Sequence, residues 1–251
     1  MRPLVGILLL VFAVTPALGQ QPVDDSANAG PAFSVEADLN RAFIWRGIQL
    51  YRGLMLQPSA TAAWRGFSLT AWANVIADDR DGLAEAGLNE VDFILAYAAE
   101  LGRVALEPSF TGYIFPRDQD SIPNTGELAL NLSCPLGPVS LVSDHIVDVA
   151  EYRGGYFGDI GICYEAELSP RLSAASYGYL RFASRKFNES YPGLSKATLS
   201  LADFGIGLTY SFSRGLAITP HMEANYIIDS ELRDYLVKNP VNFGLKLGFE
   251  F

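Results

Sequence analysis

Only two histidines, His145 and His221, occur in the 251 residues, so few side chains are available for acid–base work near neutral pH. Ser143 and His145 lie two apart on one apolar-parity segment, the pair of types a lipid hydrolase needs. Residues two apart on a strand are separated by about 7 Å along the chain, beyond direct hydrogen bonding unless the side chains bend together, and no matching Asn follows on the next segment. The pair therefore ranks below a non-enzymatic reading, and an Asp144, Asp148 and His145 protease-like set ranks lower still. Asp78-Asp79-Arg80-Asp81 and Asp118-Gln119-Asp120 offer the hard oxygen ligands that calcium takes. Neither run continues into the Gly and distal Glu of an EF-hand loop, so both read as solvated loop charge. Cys134 and Cys163 fall on opposite parities of their segments, which argues against a disulfide, and no Cys/His spacing fits zinc. No metal and no cofactor is implied.

What the chain does have in excess is carboxylate: 28 Asp and Glu against 18 Lys and Arg, a net charge of −10. A nucleic-acid partner is excluded on that ground, because phosphate neutralisation needs a basic surface. The placement of the acids is more telling than their number. Glu36, Asp38, Asp92, Glu100, Glu107, Glu127, Asp144, Asp148, Asp159, Glu165, Asp203 and Glu223 all fall on the polar parity of alternating segments. Arg181, Lys246 and His221 are the counter-charges on those faces. Turned inward around water, such a face would favour small polar or cationic solutes, by the logic of carboxylate-lined channels. The alternative is an interior filled by these acids together with Trp72, Tyr113, Tyr177 and Tyr179, leaving a plugged structural or adhesion barrel.

The elements that must carry these residues are strands. Hydrophobic residues make up 49% of the chain and charged ones 18%, yet beyond residue 20 no apolar run approaches the roughly 20 residues of a spanning helix. Apolarity spread at period two means β-structure. Val241, Phe243, Leu245, Leu247, Phe249 and Phe251 alternate with Asn242, Gly244, Lys246, Gly248 and Glu250, and the segments from Phe33 and from Val91 alternate in the same way. Strands are expected at 32–43, 54–64, 67–77, 90–101, 103–115, 126–135, 138–149, 157–168, 171–183, 198–212, 215–228 and 241–251.

Tight joints at Arg65-Gly66, Gly102-Arg103, Leu136-Gly137-Pro138, Ser169-Pro170-Arg171 and Ser213-Arg214-Gly215 alternate with longer ones near 44–53, 78–89, 116–125, 150–156, 184–197 and 229–240. Short turns on one side and long loops on the other are the pattern of an antiparallel up-and-down transmembrane barrel of about twelve strands, with both ends periplasmic. Closure pairs every backbone group, which hydrocarbon requires. Pro58, Pro108 and Pro220 inside strands each remove a ladder donor and predict bulges or ladder gaps.

Arg2, the apolar run Leu4 to Val14 and the small residues at Ala17 and Gly19 read as a signal peptide over 1–19, followed by a short segment at 20–31 and the barrel at 32–251. Arg41, Arg46 and Arg52 surround the first long joint and are expected at the outer rim. There they would snorkel to the interface, bind lipopolysaccharide phosphates or face lumenal acids. The location implied is the bacterial outer membrane, with lipid and lipopolysaccharide as surroundings, as a monomer or an oligomer.

The segment Phe43-Ile44-Trp45-Arg46-Gly47-Ile48 resembles the aromatic-Arg-Gly motif that opens the TorF-type porin family. Gly66-Phe67 with Trp72-Ala73-Asn74, Asn89-Glu90-Val91-Asp92, Gly112-Tyr113 and Gly126-Glu127-Leu128 follow in the same order. The resemblance covers residues 33 to 190 and implies an outer-membrane barrel with a transport role and no catalytic residues. The terminal Phe251 is similar to the signal read by the outer-membrane insertion machinery.

Overall fold

A computed structural model describes residues 30–82, 85–116, 122–212 and 215–251. The signal peptide, most of the segment before residue 32, the Asp118-Gln119-Asp120 run and the Ser213-Arg214 turn lie outside the described residues. The elements run β1 (Ala32–Trp45), β2 (Ile48–Trp64), β3 (Phe67–Asp79), β4 (Gly87–Tyr97), β5 (Ala99–Leu101), β6 (Val104–Ile114), β7 (Thr125–Leu136), β8 (Val139–Asp148), β9 (Tyr156–Ser169), β10 (Leu172–Ala183), α1 (Arg185–Ser190), β11 (Thr198–Ser211), β12 (Leu216–Ile227), α2 (Leu232–Tyr235) and β13 (Val241–Glu250).

Neighbouring strands pair antiparallel all the way round, and β1 closes the ring against β13, with Ala37 opposite Leu247 and Asp38 opposite Lys246. Because β4 and β5 both pair with β6, they are two lengths of one stave. The wall is a closed twelve-stave barrel, as the alternation predicts.

The prolines interrupt this wall where expected. Pairing between β6 and the β4–β5 stave stops after Ala96–Ser109 and resumes at Ala99–Leu106, skipping Pro108. Pairing of β2 with β3 skips from Leu56–Val75 to Ser59–Trp72 around Pro58, and that of β11 with β12 skips from Gly207–His221 to Tyr210–Ile218 around Pro220. Register is the same on both sides of each gap. A missing N–H donor weakens one edge of the strand without inserting a residue.

The faces are inverted relative to a water-soluble domain. Leu39, Leu95, Phe204, Phe243 and Leu247 point outward and are exposed, Phe243 by 54%, whereas Asn74, Asp92, Asp159 and Asp203 point inward and are buried.

One expected joint differs. Residues 44–53 are not a long loop: β1 and β2 run on into a two-residue turn, Arg46-Gly47, with φ of 52° and 79°. Positive φ at both positions is the primed hairpin turn, matched to strand twist. Two register shifts, at Asn40/Ala42 and Phe43/Ile44, break the alternation beneath it. Ala42, Phe43 and Ile44 are consecutively buried, which a two-faced wall does not allow, so the hairpin tip is covered on both sides. The turn also packs closely against Leu201: a Cβ on Gly47 would overlap that side chain.

Candidate functional site: the barrel lumen

The lumen is organised in three layers, beginning with a belt of carboxamides. Asn242 donates to Asn40 Oδ1 at 2.7 Å, Asn40 to Gln57 at 2.9 Å, Gln57 to Asn74 at 3.0 Å and Asn74 to Asn89 at 2.7 Å. These residues stand on β13, β1, β2, β3 and β4, so one chain of donors crosses five adjacent staves. Asn242 Oδ1 also accepts the backbone N–H groups of Arg41 and Ala42 at 3.1 and 3.0 Å. Those donors belong to the register shift in β1, which would otherwise leave them without partners.

Above the belt, at the end carrying the longer joints, the Arg46 guanidinium turns into the barrel instead of lying at the rim. It donates to both oxygens of Glu127, at 2.7 and 2.6 Å, and Tyr113 donates to the same carboxylate at 2.7 Å. Its charge lies 4.3 Å from the centre of the Trp45 ring. Two parallel bonds to a carboxylate with an aromatic ring alongside are what a planar guanidinium provides and an ammonium does not.

An aromatic cap covers this pair. The joint before β11 folds inward through α1, whose Phe187 packs on Trp45 and Phe157 with ring centres 5.8 and 5.0 Å apart, and Tyr191 meets Trp45 edge-on at 4.8 Å. Ser184 starts the helix by accepting from the Phe187 N–H at 3.2 Å, the usual role of an N-cap serine. The joint before β13 is tied to it. Lys196 Nζ lies 3.0 Å from Asp229 and 2.8 Å from Glu231, and Leu194 packs with Leu201, Ile227 and Leu232. Burial would raise the Asp229 carboxyl, but the Leu232 N–H and the Lys196 ammonium outweigh it and hold the group below its ordinary value. Hydrogen bonds to Glu231 and Asp229 raise Lys196.

Below the cap the two halves of the lumen differ. On one side Tyr177 and Tyr179 fill the space with Val142 and Cys163. They lie flat because the facing positions are glycines: Tyr177 pairs with Gly205 and Tyr179 with Gly161, and a Cβ on either glycine would overlap the ring. Arg181 stands above them, 2.5 Å from Asp203 and 3.2 Å from Asp159. On the other side a cavity of about 100 Å³ remains, bordered by Asn40, Gln57 and Asn242 of the amide belt and by Trp72, Tyr113 and Asp92. His221 lies 2.9 Å from Asp38, and Lys246 lies 3.6 Å from Glu36.

The remaining sequence candidates take defined places. Glu107 is buried on β6, Asp144 accepts from Asn131 at 2.6 Å, and Glu223 accepts from Asn225 at 2.8 Å. Asp148 accepts from Thr125 and from the backbone of Ala150 and Tyr152, folding the β8–β9 joint. Glu36 and Glu165 are half-buried, and Glu100 is exposed beside the turn at Gly102. Arg41 is exposed, and so is Arg52, which pairs with Asp81 at 2.8 Å. Phe251 is exposed, its N–H donating to the Phe33 carbonyl at 3.0 Å. Cys134 and Cys163 carry free thiols, Cys163 3.2 Å from the Tyr179 hydroxyl. Among the described residues no group of three or more His, Cys, Asp and Glu is arranged to hold a metal ion. Sequence reasoning gives no lumenal role to Glu90, which shares the parity of Asp92 but opens its expected strand, nor to any of the five members of the amide belt, although Asn74, Asn89 and Glu90 stand in the motifs of the resemblance and Asn242 on the polar parity of its strand.

For Ser143 and His145 the structure takes the exception that the spacing leaves open. Both side chains lean together, and Ser143 Oγ lies 3.3 Å from His145 Nε2, within reach. Ser143 already donates to the Asp159 carbonyl at 2.6 Å, and the Tyr156 hydroxyl lies 2.7 Å from His145 Nδ1. All three contacts are satisfied together when Tyr156 donates to His145, His145 Nε2–H to Ser143, and Ser143 to Asp159. That direction puts the proton on the nitrogen facing the serine, the reverse of what a general base needs.

No family model and no curated protein matches the chain. Among solved structures, the NanC porin aligns with a TM-score of 0.54 at 15% identity, covering 86% of this chain and 98% of that one. The KdgM porin aligns with a TM-score of 0.53 at 12% identity, covering 88% and 99%. At such identities the likeness shows a shared fold, the barrel of outer-membrane porins.

Proposed function

We propose that this chain is an outer-membrane porin of the TorF type that passes small polar or cationic solutes through an acidic lumen. The observation that carries the reading is the inversion of faces. An apolar belt covers the outside, where contiguous exposure of this extent marks a surface that meets lipid or protein. The inside buries Glu90, Asp92, Glu107, Glu127, Asp148, Asp159, Asp203 and Glu223, of which Glu127 meets the Arg46 guanidinium and Asp159 and Asp203 meet that of Arg181. Fixed negative charge in a narrow wet path raises the local concentration of cations and repels anions. The porin barrels it resembles supply the same architecture. Arg41 and Arg52 at the rim suit lipopolysaccharide phosphates, and Phe251 suits recognition during insertion into the outer membrane.

The aromatic cap favours a second reading, a barrel that stays shut and serves as a structural or adhesion element. Liposome swelling separates the two. Proteoliposomes should swell in isosmotic solutions of small amines and neutral polyols faster than in carboxylate salts of equal size. Equal, protein-independent rates for all solutes would support the shut barrel.

A further inference from the structure

We infer that the lumenal cavity is a binding site for a small organic ammonium ion, held by the carboxylate of Asp92 between the aromatic rings of Trp72 and Tyr113. Asp92 pairs across the ladder with Trp72 on β3 and with Tyr113 on β6, so the three side chains share one inward face. Directly opposed residues on a sheet bring their Cβ atoms to about 5 Å. All three border the cavity.

Asp92 is 1% exposed, and its Oδ1 has no hydrogen-bond partner. Glu90, one step along the same face, is buried at the same cavity. The nearby cations are engaged elsewhere: Arg46 with Glu127, His221 with Asp38, and Lys246 with Glu36. Among the described residues no ion pair reaches Asp92 or Glu90. A buried carboxylate oxygen without a partner is strongly unfavourable, and a cation from outside the chain can satisfy it, as a proton or a water donor also can.

The walls decide which cation. A cavity of about 100 Å³ is well above the roughly 10–15 Å³ that one water needs, which leaves room for an ammonium head and a short carbon stem. A divalent metal would want six or more oxygens, and no suitable acid cluster exists among the described residues. Aromatic faces beside a carboxylate favour an organic ammonium over a strongly hydrated alkali ion. Tyr113 is fixed for this by its bond to Glu127, and Trp72 by its packing on Phe43 with ring centres 5.9 Å apart.

The site rests on the cation-passing reading for its purpose, but binding is measured without conduction. Calorimetric titration of the folded protein in detergent with methylammonium chloride, against sodium chloride at equal ionic strength, should give saturable heat with methylammonium alone. Asp92→Asn should weaken binding by about tenfold or more, Glu90→Gln should weaken it less, and a change at the exposed turn residue, Arg171→Ala, should leave it unchanged. Absence of saturable binding by the wild type, or binding by a folded Asp92→Asn protein equal to the wild type, overturns the site. So does a protonated-carboxyl infrared band that Asp92→Asn removes and methylammonium leaves in place. Methylammonium binding by a protein that passes no current would keep the site and sink the porin reading; cation current without saturable binding would do the reverse.

Discussion

Arg46 and Glu127 stand 81 positions apart in the chain and meet through two hydrogen bonds of 2.7 and 2.6 Å inside the barrel, directly under the aromatic cap. The pair ties the β1–β2 turn on one side of the wall to the start of β7 on the other. Removing one partner of a buried ion pair costs about 3–5 kcal/mol, largely because the other charge is left uncompensated. Arg46→Ala should therefore lower the thermal midpoint of the folded band on gels and loosen the cap, raising the frequency of open-channel events. Arg46→Lys keeps the charge but loses the bidentate fit, so it should fall between wild type and Ala.

Phe187 tests the cap separately from the wall. It is buried against Trp45 and Phe157 but belongs to α1, outside the barrel ladder. Phe187→Ala should speed protease cleavage within 184–197 while leaving the midpoint of barrel unfolding close to wild type. A large loss of barrel stability with no change in cleavage would show that the helix holds the wall together.

Gly205 faces Tyr177 so closely that any Cβ would overlap the ring. Overpacking of a filled interior costs about 1–3 kcal/mol, so Gly205→Ala should destabilise the barrel by that order. Gly112→Ala serves as the control, since its Cβ would meet Phe110 at an ordinary 3.8 Å. Thermal or urea unfolding in detergent measures both.

The Lys196–Asp229 clamp carries a pH dependence of definite sign. Asp229 is depressed, so its contribution is fully present above the ordinary carboxylate value of 3.8 and is lost as pH falls through the lower folded value. Lys196 is raised, so its part is fully present below 10.5 and lost only as pH rises through its higher folded value. Protease access to 228–240 should stay low and flat through neutral pH and rise below about pH 4. Asp229→Asn should remove that acid step.

Much of this is legible in the sequence because a wall with two different faces writes a period of two. The series Val241 to Phe251 marks both the strand and its outward side, and Pro58, Pro108 and Pro220 mark the ladder gaps. The hairpin at Arg46-Gly47 escapes the pattern although the same dipeptide signals a turn at Arg65-Gly66, where φ is 52° and 82°. Phe43, Ile44 and Trp45 do not alternate, and a hairpin tip folded into the lumen is buried on both faces. Parity places Glu127 and Asp92 inward but holds no sign that Arg46 reaches one and leaves the other unpaired. That depends on how the ring closes. The amide belt is hidden for another reason: Asn40, Gln57, Asn74, Asn89 and Asn242 are neutral and look like solvated polar positions until the staves align them. Backbone spacing alone holds Ser143 and His145 apart, whereas their side chains converge.

The most direct test of the central claim is the reversal potential of single-channel currents in a planar bilayer under a salt gradient, recorded for the wild type and for Arg46→Ala. The acidic lumen predicts cation-selective current from both, with the variant open more often. Anion-selective current, or silence from both folded proteins, would contradict it.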